Sequence, residues 1–168
     1  MKRPLVIGVA DLLRRPGNQR DEVASAVLDG LAVTSSHAVE GAPVELDLHL
    51  ESVNEGIVVR GELHVPWEGE CRRCLRTVRS TLDTAVFEVF EDEPVDGETS
   101  KLDIDRIDLE PLVRETVLLE LPIAPLCRED CAGLCPECGT DRNEGDCGHG
   151  VEVRDLRWSA LDELRFED

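Results

Sequence analysis

Five cysteines and one histidine fall within the 23 residues from Cys127 to His149, and a further pair, Cys71 and Cys74, lies upstream. Thiolate sulfur and imidazole nitrogen are the donors that tetrahedral zinc takes, four at a time. A C-x2-C turn delivers two sulfurs to one ion, because a tight turn puts both side chains on the same side. Cys135-Pro136-Glu137-Cys138-Gly139 has this knuckle form. Pro136 pre-sets the turn, and Gly139 permits the positive φ that lets backbone N–H groups face the sulfurs. Cys147 follows, with His149 two positions on. Cys135, Cys138, Cys147 and His149 therefore make a complete ligand set. Cys71, Cys74, Cys127 and Cys131 make a second set of four. The spacing predicts two Zn2+ sites, both closed, without the open position that a zinc hydrolase keeps. The count leaves one grouping open, in which Cys127 or Cys131 completes the C-terminal site in place of His149.

Two other uses of the thiols are weaker. Seven cysteines cannot pair completely within one chain. Cys71-Arg72-Arg73-Cys74 has the spacing of a redox dithiol, and Arg72, Arg73, Arg76 and Arg79 would lower a thiolate pKa. That motif, however, opens a helix in a βαβ unit, and here it sits between predicted antiparallel strands. A redox-responsive zinc or thiol regulator is the alternative reading. No phosphate-binding glycine loop, nucleophile elbow or paired-histidine helix motif is visible, so the chain reads as no enzyme, with no small-molecule substrate. Ser35-Ser36-His37 reads as loop polarity. His37, His49 and His64 are scattered and read as solvent-facing.

The elements that must position these ligands follow from periodicity. Pro4 to Leu13 reads as a strand with a short extension, and Pro16, Gly17 and Asn18 as a turn. Residues 23–33 are ambiguous between strand and helical turn. Val44, Leu46, Leu48 and Leu50 alternate with Glu45, Asp47 and His49. After a turn at Asn54 to Gly56, Ile57, Val59, Gly61, Leu63 and Val65 alternate with Val58, Arg60, Glu62 and His64. This is a hairpin with one buried face. Residues from Pro66 to Thr77 read as the next turn, and Val78, Leu82, Val86 and Phe90 as a further strand. Residues 91–110 hold nine acids and two bases and read as a solvated linker. Asp108 then caps a helix with Pro111 in its first turn, and Leu109, Leu112, Val113, Thr116 and Val117 share one face, up to the stop at Pro122. Leu156, Ala160, Leu161 and Leu164 give a second short helix.

The expected fold class is α+β. An antiparallel β meander or partial barrel with one amphipathic helix near 108–121 forms residues 1–122. A zinc-organised module with a short C-terminal helix packed on it forms residues 123–168. The chain of 168 residues is long enough to bury a core without disulfides. Its 37 acidic and 18 basic side chains give a formal net charge of −19, which opposes nonspecific binding to nucleic acid or anionic lipid. With three Phe, two Trp and no Tyr, a broad base-stacking platform is not expected. The basic start with its short apolar run is interrupted by Asp11 and has no small-residue cleavage site after it, so no signal peptide is expected. No run reaches a membrane span. A cytoplasmic, reducing compartment follows, where clustered thiols read as metal ligands.

"GECRRCLRTV", "DLEPLVRETVLLELPIAPLC", "CAGLCPECGTDRN" and "VRDLRWSALDEL", in that order, resemble the YceD-like family of large ribosomal RNA subunit accumulation proteins. The N-terminal "ADLLRRPG" is similar too. The resemblance implies a noncatalytic role in 23S rRNA accumulation and large-subunit biogenesis. In that family the cysteine tract often ends in Cys-x-Cys. Here it ends in Cys147-x-His149, which keeps a zinc ligand. Two basic patches, Arg72 to Arg79 and Lys2, Arg3, Arg14, Arg15 and Arg20, either balance carboxylates or touch phosphate. The charge favours a basic ribosomal or assembly protein, or a pre-ribosomal particle, as partner, with direct RNA contact secondary.

Overall fold

Alternation with a period of two builds most of this molecule, since each strand has one face to bury. The computed structural model describes residues 4–150. The expected C-terminal helix lies outside the described residues, as do Lys2 and Arg3. In chain order the elements are β1 (Val6–Gly8), a 3-10 turn (Leu12–Arg14), β2 (Gln19–Ala26), β3 (Ser36–Ala38), β4 (Val44–Val53), β5 (Gly56–Glu70), β6 (Thr77–Glu91), β7 (Ser100–Asp103), β8 (Arg106–Asp108) and α1 (Glu110–Glu120). The strands form one curled half-barrel sheet in the order β1-β8-β7-β6-β5-β4-β2, with β3 pairing β5 off this path. All pairs are antiparallel except β6–β7, which is parallel over two residues.

The β4–β5 hairpin has the expected register, with Leu46 opposite Leu63 and Leu50 opposite Val59. Leu46, Leu50, Ile57, Val59, Leu63 and Val65 have no solvent exposure. Phe90 and Val86 of β6 complete this face, and Val113 and Val117 of α1 are buried in the same core. Each such side chain contributes roughly 1.5–3 kcal/mol of transfer free energy. Gly61 is required by close approach: a Cβ there would lie 2.0 Å from the Asp47 carbonyl oxygen.

Four expectations change. The turn does not begin at Pro66, because β5 continues to Glu70. The Pro66 carbonyl accepts the Val39 N–H, so its backbone polar edge faces the end of β3 and no bond to β6 is lost. Residues 91–110 are not one solvated linker. They contain β7 and β8, joined by a two-residue turn at Ile104 and Asp105, with Leu102 and Ile107 buried. The acids occupy the outward positions of this small hairpin. The ambiguous stretch 23–33 is strand as far as Ala26. Leu109, not Asp108, caps α1. Asp108 still serves the helix entry, since its Oδ1 accepts the Glu110 N–H at 3.0 Å.

Candidate metal centres

The β5–β6 connection is the first knuckle. Leu75 N–H donates to Cys71 O and Cys71 N–H donates to Arg76 O, both at 2.8 Å. The second knuckle repeats this wiring: Gly139 N–H donates to Cys135 O at 2.9 Å and Cys135 N–H to Thr140 O at 2.8 Å. The residue after the second cysteine is left-handed in both, with φ of 60° at Leu75 and 72° at Gly139. Leucine in the first knuckle thus occupies a backbone conformation that favours glycine, and sequence alone does not reveal it. The first knuckle leads into a strand rather than a helix, unlike the redox dithiol arrangement.

The fold brings Cys71, Cys74, Cys127 and Cys131 together, with all four sulfurs within 4.8 Å of one another. Cys71 Sγ lies 3.8 Å from Cys131 Sγ, and Cys74 Sγ lies 3.6 Å from Cys127 Sγ. Sulfurs about 2.3 Å from a tetrahedral zinc stand about 3.8 Å apart along each edge, so this donor set fits the ion. Cys71, Cys74 and Cys131 are buried, and Cys127 is exposed. Backbone ties hold the set: Arg72 N–H donates to Pro125 O and Leu134 N–H to Arg73 O. The Arg73 guanidinium donates to the carbonyls of Glu129 and Cys131.

The electrostatics are those of crowded sulfurs. Burial pushes the Cys71 thiol up, but N–H groups of Cys127, Cys74 and Arg73 outweigh it and bring it down to about 6. Burial and the neighbouring thiols push Cys127 up to about 12. Burial also raises Cys131, but the Asn143 amide and the Gly133 N–H lower it overall.

The second group is Cys135, Cys138, Cys147 and His149, again within 4.8 Å. Cys135 Sγ stands 3.8 Å from His149 Nδ1. On the far side of the ring, His149 Nε2 lies 3.7 Å from a Glu137 carboxylate oxygen. A carboxylate on the free nitrogen side orients a ligating imidazole. The Thr140 hydroxyl, 3.2 Å from Cys138 Sγ, and the Thr140 N–H bring the Cys138 thiol down to about 6. Of the two groupings left open, the structure assembles the one with His149 beside Cys135, and Cys127 and Cys131 stand with the first knuckle.

The spacer of the second group packs on the first knuckle. Arg76 pairs with Asp141 at 2.8 Å and with Glu144. Asn143 Nδ2 donates to Cys131 Sγ at 3.4 Å and to Asp141 Oδ1. Asn143 Oδ1 accepts the Ala132 N–H and an Arg128 N–H. Glu137, Thr140 and Asn143 escape sequence reasoning, because polar residues in a loop carry no spacing signal.

The remaining histidines stand apart from both groups and pair with carboxylates: His37 with Glu68, His49 with Asp21, His64 with Asp83. Ser36 is buried, and its hydroxyl donates to Pro122 O. Arg79 pairs with Glu68, and Arg72 makes no ion pair among the described residues.

A family model described as large ribosomal RNA subunit accumulation protein YceD matches residues 59–165, which include all eight ligand positions. The chain belongs to the YceD family. An uncharacterized protein of Mycobacterium tuberculosis is 40% identical over 96% of this chain and 81% of its own length. An uncharacterized protein of Bacillus subtilis is 29% identical over 73% of this chain and 72% of its own length. A chloroplastic protein of Arabidopsis thaliana, named large ribosomal RNA subunit accumulation protein YCED homolog 1, is 33% identical over 38% of this chain and 20% of its own length. No solved structure matches. The YceD match starts within β5 and so omits β1 to β4, whereas the mycobacterial relative covers 96% of the chain. Among the described residues of this YceD chain, no helix is long and apolar enough to cross a membrane.

Proposed function

We propose that this chain is a noncatalytic zinc protein that supports 23S rRNA accumulation and large-subunit assembly, acting in the reducing cytoplasm. The observation that carries the reading is the pair of four-donor groups at tetrahedral spacing in a chain of the YceD family. Zinc is the ion favoured when a set of four thiolates stands beside a set of three thiolates and one imidazole, since both sets are ones that structural zinc takes. All four positions of each set are protein ligands, so neither would activate a substrate water. Cys71, Cys74, Cys127 and Cys131 hold one ion; Cys135, Cys138, Cys147 and His149 hold the other. Bound zinc supplies folding energy. A charge of −19 suits a basic ribosomal or assembly protein as partner, or a pre-ribosomal particle that exposes one. Arg72 leaves room for a secondary RNA contact.

Elemental analysis of chain purified without added metal is expected to return two zinc ions per molecule. One zinc, with Cys71 and Cys74 freely alkylated, removes the first centre. In cells lacking the protein, the wild-type chain should restore 23S rRNA and Cys138→Ser should not. Restoration by a chain that binds no metal overturns the reading. The redox alternative, motivated by the low thiol values at Cys71 and Cys138, requires a reversible Cys71–Cys74 disulfide near the cytosolic potential.

A further inference from the structure

Among the described residues the half-barrel is open, and its two terminal strands are β1 and β2. Between them lies a cavity of about 470 Å3, lined by Pro4, Val6 and Gly8 on one side and Arg20, Glu22 and Ser25 on the other. That volume is in the range of ligand pockets. Ser52 N–H donates to Asn18 O, so even-numbered residues of β2 bond to β4. By the alternation of an antiparallel ladder, Asp21, Val23 and Ser25 then turn their N–H and C=O groups into the seam. Along this edge, residues 23–27 read Val-Ala-Ser-Ala-Val, without charge or proline, and Val23 is 74% and Val27 54% exposed. Natural proteins blunt such an edge with lysine, proline or a bulge, because it templates pairing with another strand. This edge carries none of those over five residues.

We propose that the free edge of β2 docks an extended basic segment of a partner protein, which adds as a strand in the seam facing β1. The inference deepens the reading of a basic assembly partner and rests on it. Main-chain pairing supplies the affinity in this mode, and side chains at alternate positions supply the selectivity. The charge around the edge selects the occupant. β2 and β4 carry Asp21, Glu22, Glu45, Asp47 and Glu51 against the single cation Arg20. Arg20 is already committed, donating to the Asp11 carboxylate and to Gly8 O. Its bond to Gly8 ties the strands together at one end and leaves the seam open from Glu22 toward Ala26. An incoming strand with lysine or arginine at alternate positions meets Asp21 and the Glu45 and Asp47 row beyond it. A second copy of this edge would bring like charges together.

The test uses the zinc-loaded full chain, isotopically labelled, with an eight-residue probe peptide of sequence Lys-Thr-Val-Lys-Val-Arg-Val-Lys. Bound peptide should slow amide exchange at Asp21, Val23 and Ser25, and the effect should weaken with salt. A version with glutamate at the basic positions should not bind. Val23→Pro removes one seam donor without touching β4 and should weaken binding by about tenfold, the equivalent of one backbone hydrogen bond. Val23→Lys should weaken it through repulsion, whereas Val23→Glu should not. Equal binding of the acidic peptide, or protection elsewhere with these amides unchanged, overturns the proposal. So does protection already present in dilute free chain, which would mean that the chain covers its own edge. Protection that grows with protein concentration would make a second copy the occupant, and also overturns it. If Val23→Pro and Val23→Lys still capture a basic assembly protein as well as wild type, the edge is wrong and the basic-partner reading stands. If the wild-type chain captures none, that reading fails.

Discussion

Asn143 offers the sharpest perturbation of the first candidate metal centre, because it touches a candidate ligand without being one. Its Nδ2 donates to Cys131 Sγ, while its Oδ1 anchors Ala132 N–H at 2.9 Å and an Arg128 N–H at 2.6 Å. Removing an outer partner of a metal ligand lowers metal affinity by about 10- to 100-fold. Asn143→Ala loses both the donor to sulfur and the anchor on the Cys131–Ala132 backbone, so the upper part of that range is expected at the first centre. Asn143→Asp keeps an acceptor for Ala132 but places a carboxylate against the thiolate, so its loss should be at least as large. Arg128→Ala removes one of the contacts to Asn143 and leaves the N–H···S bond, and should stay near wild type. The assay is chelator competition followed by 113Cd NMR, which separates an all-sulfur site from one that includes an imidazole nitrogen. The second centre should move less, because Asn143 bonds to none of its four ligands. Wild-type affinity at the all-sulfur site in folded Asn143→Ala and Asn143→Asp would refute the argument.

Backbone geometry yields two further predictions. Gly139 has open space around it but φ of 72°, so Gly139→Ala should destabilise the second knuckle by about 1–2 kcal/mol, the left-handed penalty of a Cβ, as measured by chelator resistance and melting. Leu75→Gly, at the matching position of the first knuckle, should leave the Tm unchanged or slightly raised. At Gly61 the obstruction is steric: a Cβ meets Asp47 O at 2.0 Å and Leu48 Cα at 2.9 Å, both backbone atoms. Gly61→Ala should therefore cost at least about 2 kcal/mol in denaturant unfolding. A last prediction concerns protonation. The Asp83 hydrogen bond holds the His64 pKa above 6.5, with Glu62 and Asp47 adding to it. Because the folded value is raised, the stabilisation is fully present below pH 6.5 and is lost as pH climbs through the folded pKa. In Asp83→Asn, NMR titration should show the His64 pKa falling toward its ordinary value.

The long hairpin was open to sequence because Val44 to Leu50 and Val59 to Val65 alternate around a short turn. The second donor set was open to it because all its members lie within 15 residues. The first set is different. Cys71 meets Cys131 across 60 positions and Cys74 meets Cys127 across 53, so only the count of ligands hints at the grouping. The β7–β8 hairpin was hidden by composition. Nine acids in 91–110 suggest solvent, and its turn carries Ile104 at φ 55° where asparagine or glycine would have announced it. Pro66 misled in the same way, because a proline inside a strand is tolerated only when its missing N–H faces no partner, and that depends on where β3 ends.

A metal at the first candidate centre would hold a distant excursion to the sheet. After Cys74 the chain runs out along β6, through β7, β8 and α1, and returns at Cys127 to the turn it left. Closing a loop of this length costs conformational entropy that grows slowly with length, and a cross-link at its ends removes that freedom from the unfolded chain as a disulfide would. In a reducing compartment a metal can do this where a disulfide does not persist. The excursion is also anchored in the main core, through Leu102, Ile107, Leu109, Val113 and Val117 packed with the strands, and Ser36 grips its far end at Pro122 O. A metal bound at the first candidate centre would therefore serve the return from Pro125 onward rather than the helix. Chelation should free the amides of Arg72, Leu134 and Cys135, whose acceptors lie across the knuckles, to exchange, and leave those of β4, β5 and α1 protected. Collapse of α1 protection on zinc removal would mean that the clasp, and not the apolar face, holds the helix in place.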